Sequence, residues 1–161
     1  MAETKRDGKK RPESTLIAEN RRARFDYEFE DTLECGIELR GVEVKSLREK
    51  SVSFENSFAV FNGDDLVLMN LTINRWRNAS THEALTPNRP RRLLAKRSEI
   101  ERLKKSTVRS GLSIIPLKLY FKGAWAKVLL GVGKGKTHGD KRETIKRREA
   151  DREMSRELRR R

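Results

Sequence analysis

Cysteine is nearly absent from this chain: Cys35 stands alone among 161 residues. A single thiol can neither close an internal disulfide nor build a Cys-based zinc site, so it reads as a small packing group. Histidine is nearly as scarce. His82 and His138 have neither metal-ligand spacing nor a partner carboxylate pattern, so no metal and no cofactor are expected. There is no Gly-x-Ser-x-Gly elbow or other nucleophile motif, and Asp64-Asp65 fits turn chemistry, so no enzymatic activity is expected. Apolar runs stop at about four residues, as at Leu66 to Met69, where a membrane span needs ~18. The N-terminal stretch has charge but no apolar h-region of a secretory signal. The expectation is a soluble, cytoplasmic protein with no membrane partner. Apolar residues make up 35% of the chain, below the roughly 45–50% of an ordinary globular protein. The deficit lies at the two ends, so the middle can still bury a core.

What the chain has instead is positive charge, 38 Lys and Arg against 24 Asp and Glu, a net +14. The last 28 residues, Lys134 to Arg161, hold twelve basic and six acidic side chains. Only Ile145, Ala150, Met154 and Leu158 offer sizeable apolar groups there, and their offsets give one thin helical stripe. Such a tail is expected to be disordered when free and to seek a polyanion, on which it turns helical.

Between the ends the pattern is mainly β. Residues 1–18 read as a flexible basic arm, 19–133 as one domain and 134–161 as the tail. Ala23, Phe25, Tyr27 and Phe29 alternate with charges, a strand signal. Ile37 and Leu39 then Val42 and Val44 predict a second strand, whose phase change at Gly41 suggests a bulge. Asn62-Gly63-Asp64-Asp65 joins two apolar runs as a hairpin. Residues 74–92 read as a long basic loop, Leu93 and Leu94 as a turn of helix, and Ser98-Glu99-Ile100-Glu101 as a helix-opening capping box. Leu112 to Phe121 and Trp125 to Val132 predict a last hairpin, with Pro116 marking an edge or bulge. Strands, helix, strands and long basic loops fit a small β-barrel of the oligonucleotide-binding (OB) type.

Three stretches carry candidate chemistry. Asn20-Arg21-Arg22-Ala23-Arg24 supplies guanidinium forks for phosphates and faces for bases. The period-two pattern assigns Phe25, Tyr27 and Phe29 to the core, leaving Asn20 and the arginines as binding candidates. In Gly41 to Arg48, Val42, Val44 and Leu47 read as packing groups. Glu43, Lys45 and Arg48 there suit either RNA contact or a solvated face with a cross-strand ion pair. Trp125 and Lys127 lead into Gly131-Val132-Gly133-Lys134-Gly135-Lys136, which lacks Walker spacing and its Ser. That run suits a phosphate-tracking exit from the barrel and equally a flexible linker.

These residues together resemble the small protein B family, the SsrA-binding proteins. The resemblance lies in I-A-x-N-R-R-A-R from Ile17, G-x-E-V-K-S-L-R from Gly41 and P-L-K-L-Y-F-K from Pro116. It continues through A-W-x-K-V from Ala124, K-G-K from Lys134 and D-K-R-E from Asp140, in family order. It implies an OB-type barrel bound to the tRNA-like domain of transfer-messenger RNA, as a monomer in a 1:1 complex. The tail would reach the decoding centre and the empty mRNA path of the stalled ribosome's small subunit, where it becomes helical. By motif, Asn20, Arg22, Arg24, Glu34, Lys45, Arg48, Trp125, Lys127, Lys134 and Lys136 form the RNA face. Asp140, Lys141 and Arg142 are the tail's contacts to the decoding region, with the stripe Ile145, Met154 and Leu158 facing the path wall. This chain departs from the pattern at Phe25, where relatives commonly have His, and at Gly139, where they have a stacking His or Tyr. His138, one residue earlier, is the remaining candidate for that stack. The rival readings are a general single-strand RNA-binding OB protein and a structural ribosomal protein.

Overall fold

Two long antiparallel strand pairings carry the architecture of this computed structural model, which describes residues 14–79 and 86–159. The elements in chain order are β1 Ser14–Glu19, α1 Ala23–Asp26, β2 Tyr27–Ile37, α2 Gly41–Arg48, β3 Val52–Ser53, β4 Phe58–Asn62 and β5 Asp65–Met69. Then follow β6 Thr72–Ile73, β7 Arg91–Leu94, α3 Arg97–Ser110, β8 Ser113–Lys122, β9 Trp125–Gly135 and α4 His138–Arg159. β9 pairs with β2 from Tyr27 opposite Gly135 to Gly36 opposite Lys127, and with β8 from Ser113 opposite Gly133 to Lys122 opposite Trp125. The sheet runs β1-β8-β4-β5-β7-β2-β9 and returns on itself where β9 meets β8. The seam between β4 and β8 is a single residue pair, Ala59 with Ile114, so the OB-type barrel is not strictly closed.

Alternation explains the core. Leu33, Cys35 and Ile37 of β2, Leu119 of β8, and Val128, Leu130 and Val132 of β9 all point inward and are buried. Leu66, Leu68 and Leu93 meet them from β5 and β7. Burial pushes the Cys35 thiol up to about 12, so it stays protonated and packs as a small apolar group. The last hairpin turns at Gly123, whose φ of 63° suits a residue without a Cβ. β9 packs against β2 so tightly at Gly133 that an added Cβ would overlap the Glu28 carbonyl oxygen and lie 2.8 Å from the Phe29 Cα. The Asn62–Asp65 hairpin forms where expected, pairing Asn62 with Asp65. The Pro116 signal resolves as a bulge, because the β8–β9 register shifts between Pro116 and Lys118.

Several expectations are corrected. Residues 1–13 of the predicted arm lie outside the described residues, but Ser14–Glu19 is a strand, antiparallel to the outer half of β8. The short β4 leaves that edge free, and β1 fills it while burying Ile17. The strand predicted through Val42 and Val44 is instead helix α2, which buries Glu43, Ser46 and Leu47 at helical spacing. Tertiary burial overrides the β-branched propensity there. Ala23–Asp26 is a short helix, so Phe25 is half-buried outside both apolar clusters, while Tyr27 and Phe29 pack on an outer one with Ala23, Ile115 and Leu117. Leu93 and Leu94 lie on strand β7, not in a helical turn. α3 opens at Lys96, whose N–H donates to Glu99 Oε2 at 2.9 Å, and not at Ser98.

Within the tail, His138–Arg159 form one continuous helix, α4, the conformation the sequence leads one to expect of this segment on a partner. Thr137 opens it: its N–H and hydroxyl both donate to Asp140 Oδ2, at 3.0 and 2.7 Å. Those bonds hold the Asp140 carboxyl below its ordinary range, at the helix end where negative charge is stabilising. Beyond Thr144 every described side chain of α4 is exposed. No helix among the described residues is long and apolar enough to cross a membrane.

Candidate nucleic-acid interface

The outer face of β8, β9 and β2 brings together candidates that lie far apart in sequence. Register aligns Leu16, Tyr120, Lys127, Gly36 and Leu94 in one row across five strands. Glu34, on the same face of β2, accepts a hydrogen bond from the Tyr120 hydroxyl and one from Lys122 Nζ at 3.3 Å. The Tyr120 bond, with Lys122 beside it, holds the Glu34 carboxyl below its ordinary range despite some burial. Burial and that same carboxylate push the Tyr120 phenol up. Glu34 is thus a fixed anionic acceptor within a basic surface. Such a group selects base-edge N–H donors over phosphate. Trp125, 74% exposed, projects from the hairpin beside Lys127 and offers a stacking face. Leu94 and Leu16, about half exposed, flank the row. Sequence reading missed both; strand parity against buried Leu93 and Ile17 is the signal that places them outward.

Helix α2 extends this face. Arg48 lines a groove of about 250 Å³ with Leu16, Phe121, Gly123 and Ala124, next to the Trp125 hairpin. Lys45, one turn earlier, holds its ammonium 4.3 Å from the centre of the Trp76 ring. Glu43 leaves the surface altogether. Its carboxylate takes Arg89 Nη2 at 2.5 Å and Arg91 Nε at 2.9 Å, and it caps the helix through the Arg40 N–H at 2.8 Å. Burial alone would raise the Glu43 carboxyl, but Arg89, the Arg40 N–H and Arg91 together bring it below its ordinary range. Arg91 also donates to the carbonyls of Leu71, Arg89 and Pro87. This lock ties the chain after residue 86 beneath α2 and so fixes where Lys45 and Arg48 stand.

The third group gathers at α1, the end of β9 and the start of α4. Arg22 and Arg24 are exposed, as is Lys134. Lys136 joins them through its N–H to the Asp26 carbonyl at 2.7 Å and its Nζ to the Arg24 carbonyl at 3.4 Å. Asn20 differs from the others. Its Nδ2 donates to the Pro116 carbonyl at 3.0 Å and its Oδ1 accepts from the Ala23 N–H at 3.1 Å, so its amide anchors α1 onto β8. Lys141 pairs with Asp26 at 3.0 Å. That bond chiefly, with Arg22 beside it, lowers the Asp26 carboxyl. Lys141 and Arg148 also stand over the Phe25 ring, at 6.0 and 5.7 Å. Arg142 is exposed, and Ile145, Met154 and Leu158 form an uncovered stripe. His138 starts α4, its side chain lying outside the described residues, as does His82. Among the described residues no His, Cys, Asp and Glu cluster could hold a metal.

Comparison with known proteins gives a consistent set. The family described as SmpB protein matches residues 17–160. An SsrA-binding protein of Anaeromyxobacter sp. (strain Fw109-5) is 47% identical over 146 residues, 91% of this chain and 88% of its own. One of Myxococcus xanthus (strain DK1622) is 48% identical over 150 residues, 93% of this chain and 92% of its own. Another, of Synechocystis sp., is 46% identical over 145 residues, 90% of this chain and 94% of its own. A solved structure, described as "tmRNA-SmpB: a journey to the center of the bacterial ribosome", superposes with a TM-score of 0.64 at 44% identity. That match covers 80% of this chain and 93% of the solved one.

Proposed function

The chain belongs to the SmpB protein family, and on that footing we propose that it binds the tRNA-like domain of transfer-messenger RNA and brings it to stalled ribosomes for trans-translation. The observation that carries this reading is the outer barrel face. There Glu34, held ionised by Tyr120, shares one sheet surface with Lys127, Trp125 and the groove of Arg48. An anionic reader of base donors inside a ring of cations suits a folded RNA with exposed base edges better than a featureless strand. A general single-strand binder would instead line its sheet with exposed aromatics. Here Tyr27 and Phe29 stack on each other within an outer apolar cluster, so this rival is not favoured.

The second part of the reading concerns α4. Its basic surface and uncovered stripe of Ile145, Met154 and Leu158 are suited to an RNA-walled path, with Asp140, Lys141 and Arg142 nearest the barrel. Arg22, Arg24, Lys134 and Lys136 lie where the barrel hands over to this helix, and they track phosphates at the junction. The protein acts in the cytoplasm as one copy per RNA, without a covalent step of its own. Truncation after Lys136 tests the division of labour: RNA binding should persist while peptide tagging on stalled ribosomes is lost. Parallel loss of both would refute it.

A further inference from the structure

We infer that Trp76 and Lys45 form a base-stacking platform that carries the RNA-binding surface from the β8–β9 hairpin across α2. The inference rests on the reading that this chain binds a folded RNA, and it adds Trp76, which lies outside the residues so far placed on the RNA face. Trp76 follows β6 and is half-buried, outside both apolar clusters of the barrel. Its orientation is nonetheless fixed twice. The indole Nε1–H donates to Glu49 Oε1 at 3.3 Å, which sets the rotation of the ring in its plane. The Lys45 ammonium, 4.3 Å from the ring centre, sets its tilt. The backbone beneath is held as well: the Asn74 N–H donates to the Ser51 carbonyl at 3.0 Å and its Nδ2 to Ser51 Oγ at 3.1 Å, and the Ala79 N–H closes a turn onto the Trp76 carbonyl at 3.0 Å. A large ring kept in place at the surface, with its N–H already satisfied, loses little side-chain entropy when a base lands on it.

The surroundings specify the ligand. Lys45, Arg48, Arg75 and Arg77 lie on or beside this segment, and the nearby Glu49 is engaged by the indole. Lys45 and Arg48 are three residues apart on α2 and share one face. Arg48 borders the groove with Gly123 and Ala124, next to Trp125. The strip Trp125, Arg48, Lys45, Trp76 therefore sets two cations between two stacking faces, a pattern that suits bases and their phosphates. A stacked base would take the ring face, and the Lys45 ammonium would turn to the neighbouring phosphate.

Trp76 and Trp125 are the chain's two tryptophans, which makes the test direct. In W125F the remaining emission comes from Trp76. Titration with the tRNA-like domain of transfer-messenger RNA, labelled for anisotropy, should quench it with the midpoint of the anisotropy curve. In the otherwise native chain, W76L should bind about tenfold more weakly, and W76F, which keeps a ring, should stay close to the parent. Saturable anisotropy with unchanged Trp76 emission would overturn the platform while leaving RNA binding intact, and so would equal affinity of W76L and the parent. Absence of saturable binding in the parent itself would overturn the functional reading and this inference with it. The W125F titration decides the matter even if W76L does not fold.

Discussion

Replacing Glu43 by Gln should cost this protein a large part of its stability. The Glu43 side chain is 5% exposed and that of its partner Arg91 0%, with a nitrogen–oxygen approach of 2.8 Å. Gln keeps the shape and one acceptor but removes the charge that balances a guanidinium which cannot deprotonate inside a protein. Breaking a buried pair from one side typically costs about 3–5 kcal/mol. Arg91 retains its bonds to the carbonyls of Leu71, Arg89 and Pro87, so a loss of about 3 kcal/mol, the lower end of that range, is expected. For a urea slope of about 1–3 kcal/mol/M this lowers the unfolding midpoint by about 1–3 M. The pH dependence carries a second signature. The Glu43 carboxyl sits below its ordinary value of 4.5 in the fold, so its contribution is present above that value and is lost as pH falls through the lower, folded one. E43Q should therefore show a flatter acid limb than the parent. The double variant E43L/R91M should recover only part of the loss, since it removes both charges but leaves the Arg40 N–H and the Leu71 and Pro87 carbonyls without these partners. A midpoint for E43Q indistinguishable from the parent would refute the lock.

Other consequences can be read at the bench. Gly133→Ala should prevent β9 from seating on β2, because the added Cβ meets the Glu28 carbonyl and the Phe29 Cα, and circular dichroism should report loss of the cooperative thermal transition. Asp26→Asn should weaken the Lys141 latch and lower the helical signal of the full chain near neutral pH. That difference should vanish as pH falls through the depressed Asp26 value, since the latch is fully present only above the ordinary 3.8. Glu34→Gln should bring the Tyr120 phenol down toward its ordinary range, followed by ultraviolet titration, and should weaken RNA binding roughly tenfold for one lost charge-assisted contact. An unmoved Tyr120 titration would contradict the Glu34–Tyr120 bond.

The barrel was legible wherever one face of a strand is buried. The Asn62–Asp65 hairpin, the last hairpin and the bulge signal at Pro116 all follow from local pattern. Gly41 to Arg48 misled because Val42 and Val44 alternate like a strand, while the decisive partner of Glu43 is Arg91, 48 residues away. No local window contains that pair. β1 escaped notice for a related reason: its short run of six residues acquires a partner only because β4 leaves part of the β8 edge open. Motif order singled out Glu34, Lys127, Trp125 and Arg48, yet strand register and the groove beside the last hairpin are what bring them to one surface, and register adds Leu94. Motif order singled out Asn20 as well, and the fold adds what the motif does not show, that its amide bridges the Pro116 carbonyl and the Ala23 N–H. The tail's helix was visible as a stripe, but its docking depends on Asp26 and Phe25, which reach α4 across the barrel end.

The central claim is recognition of one folded RNA by the outer barrel face. It is tested most directly by binding of the full chain to the tRNA-like domain of transfer-messenger RNA, with elongator tRNA as competitor at ~150 mM salt, where nonspecific phosphate contacts are weakened. Nanomolar affinity that resists the competitor is the predicted result. Weak binding shared equally by the two RNAs would contradict the account.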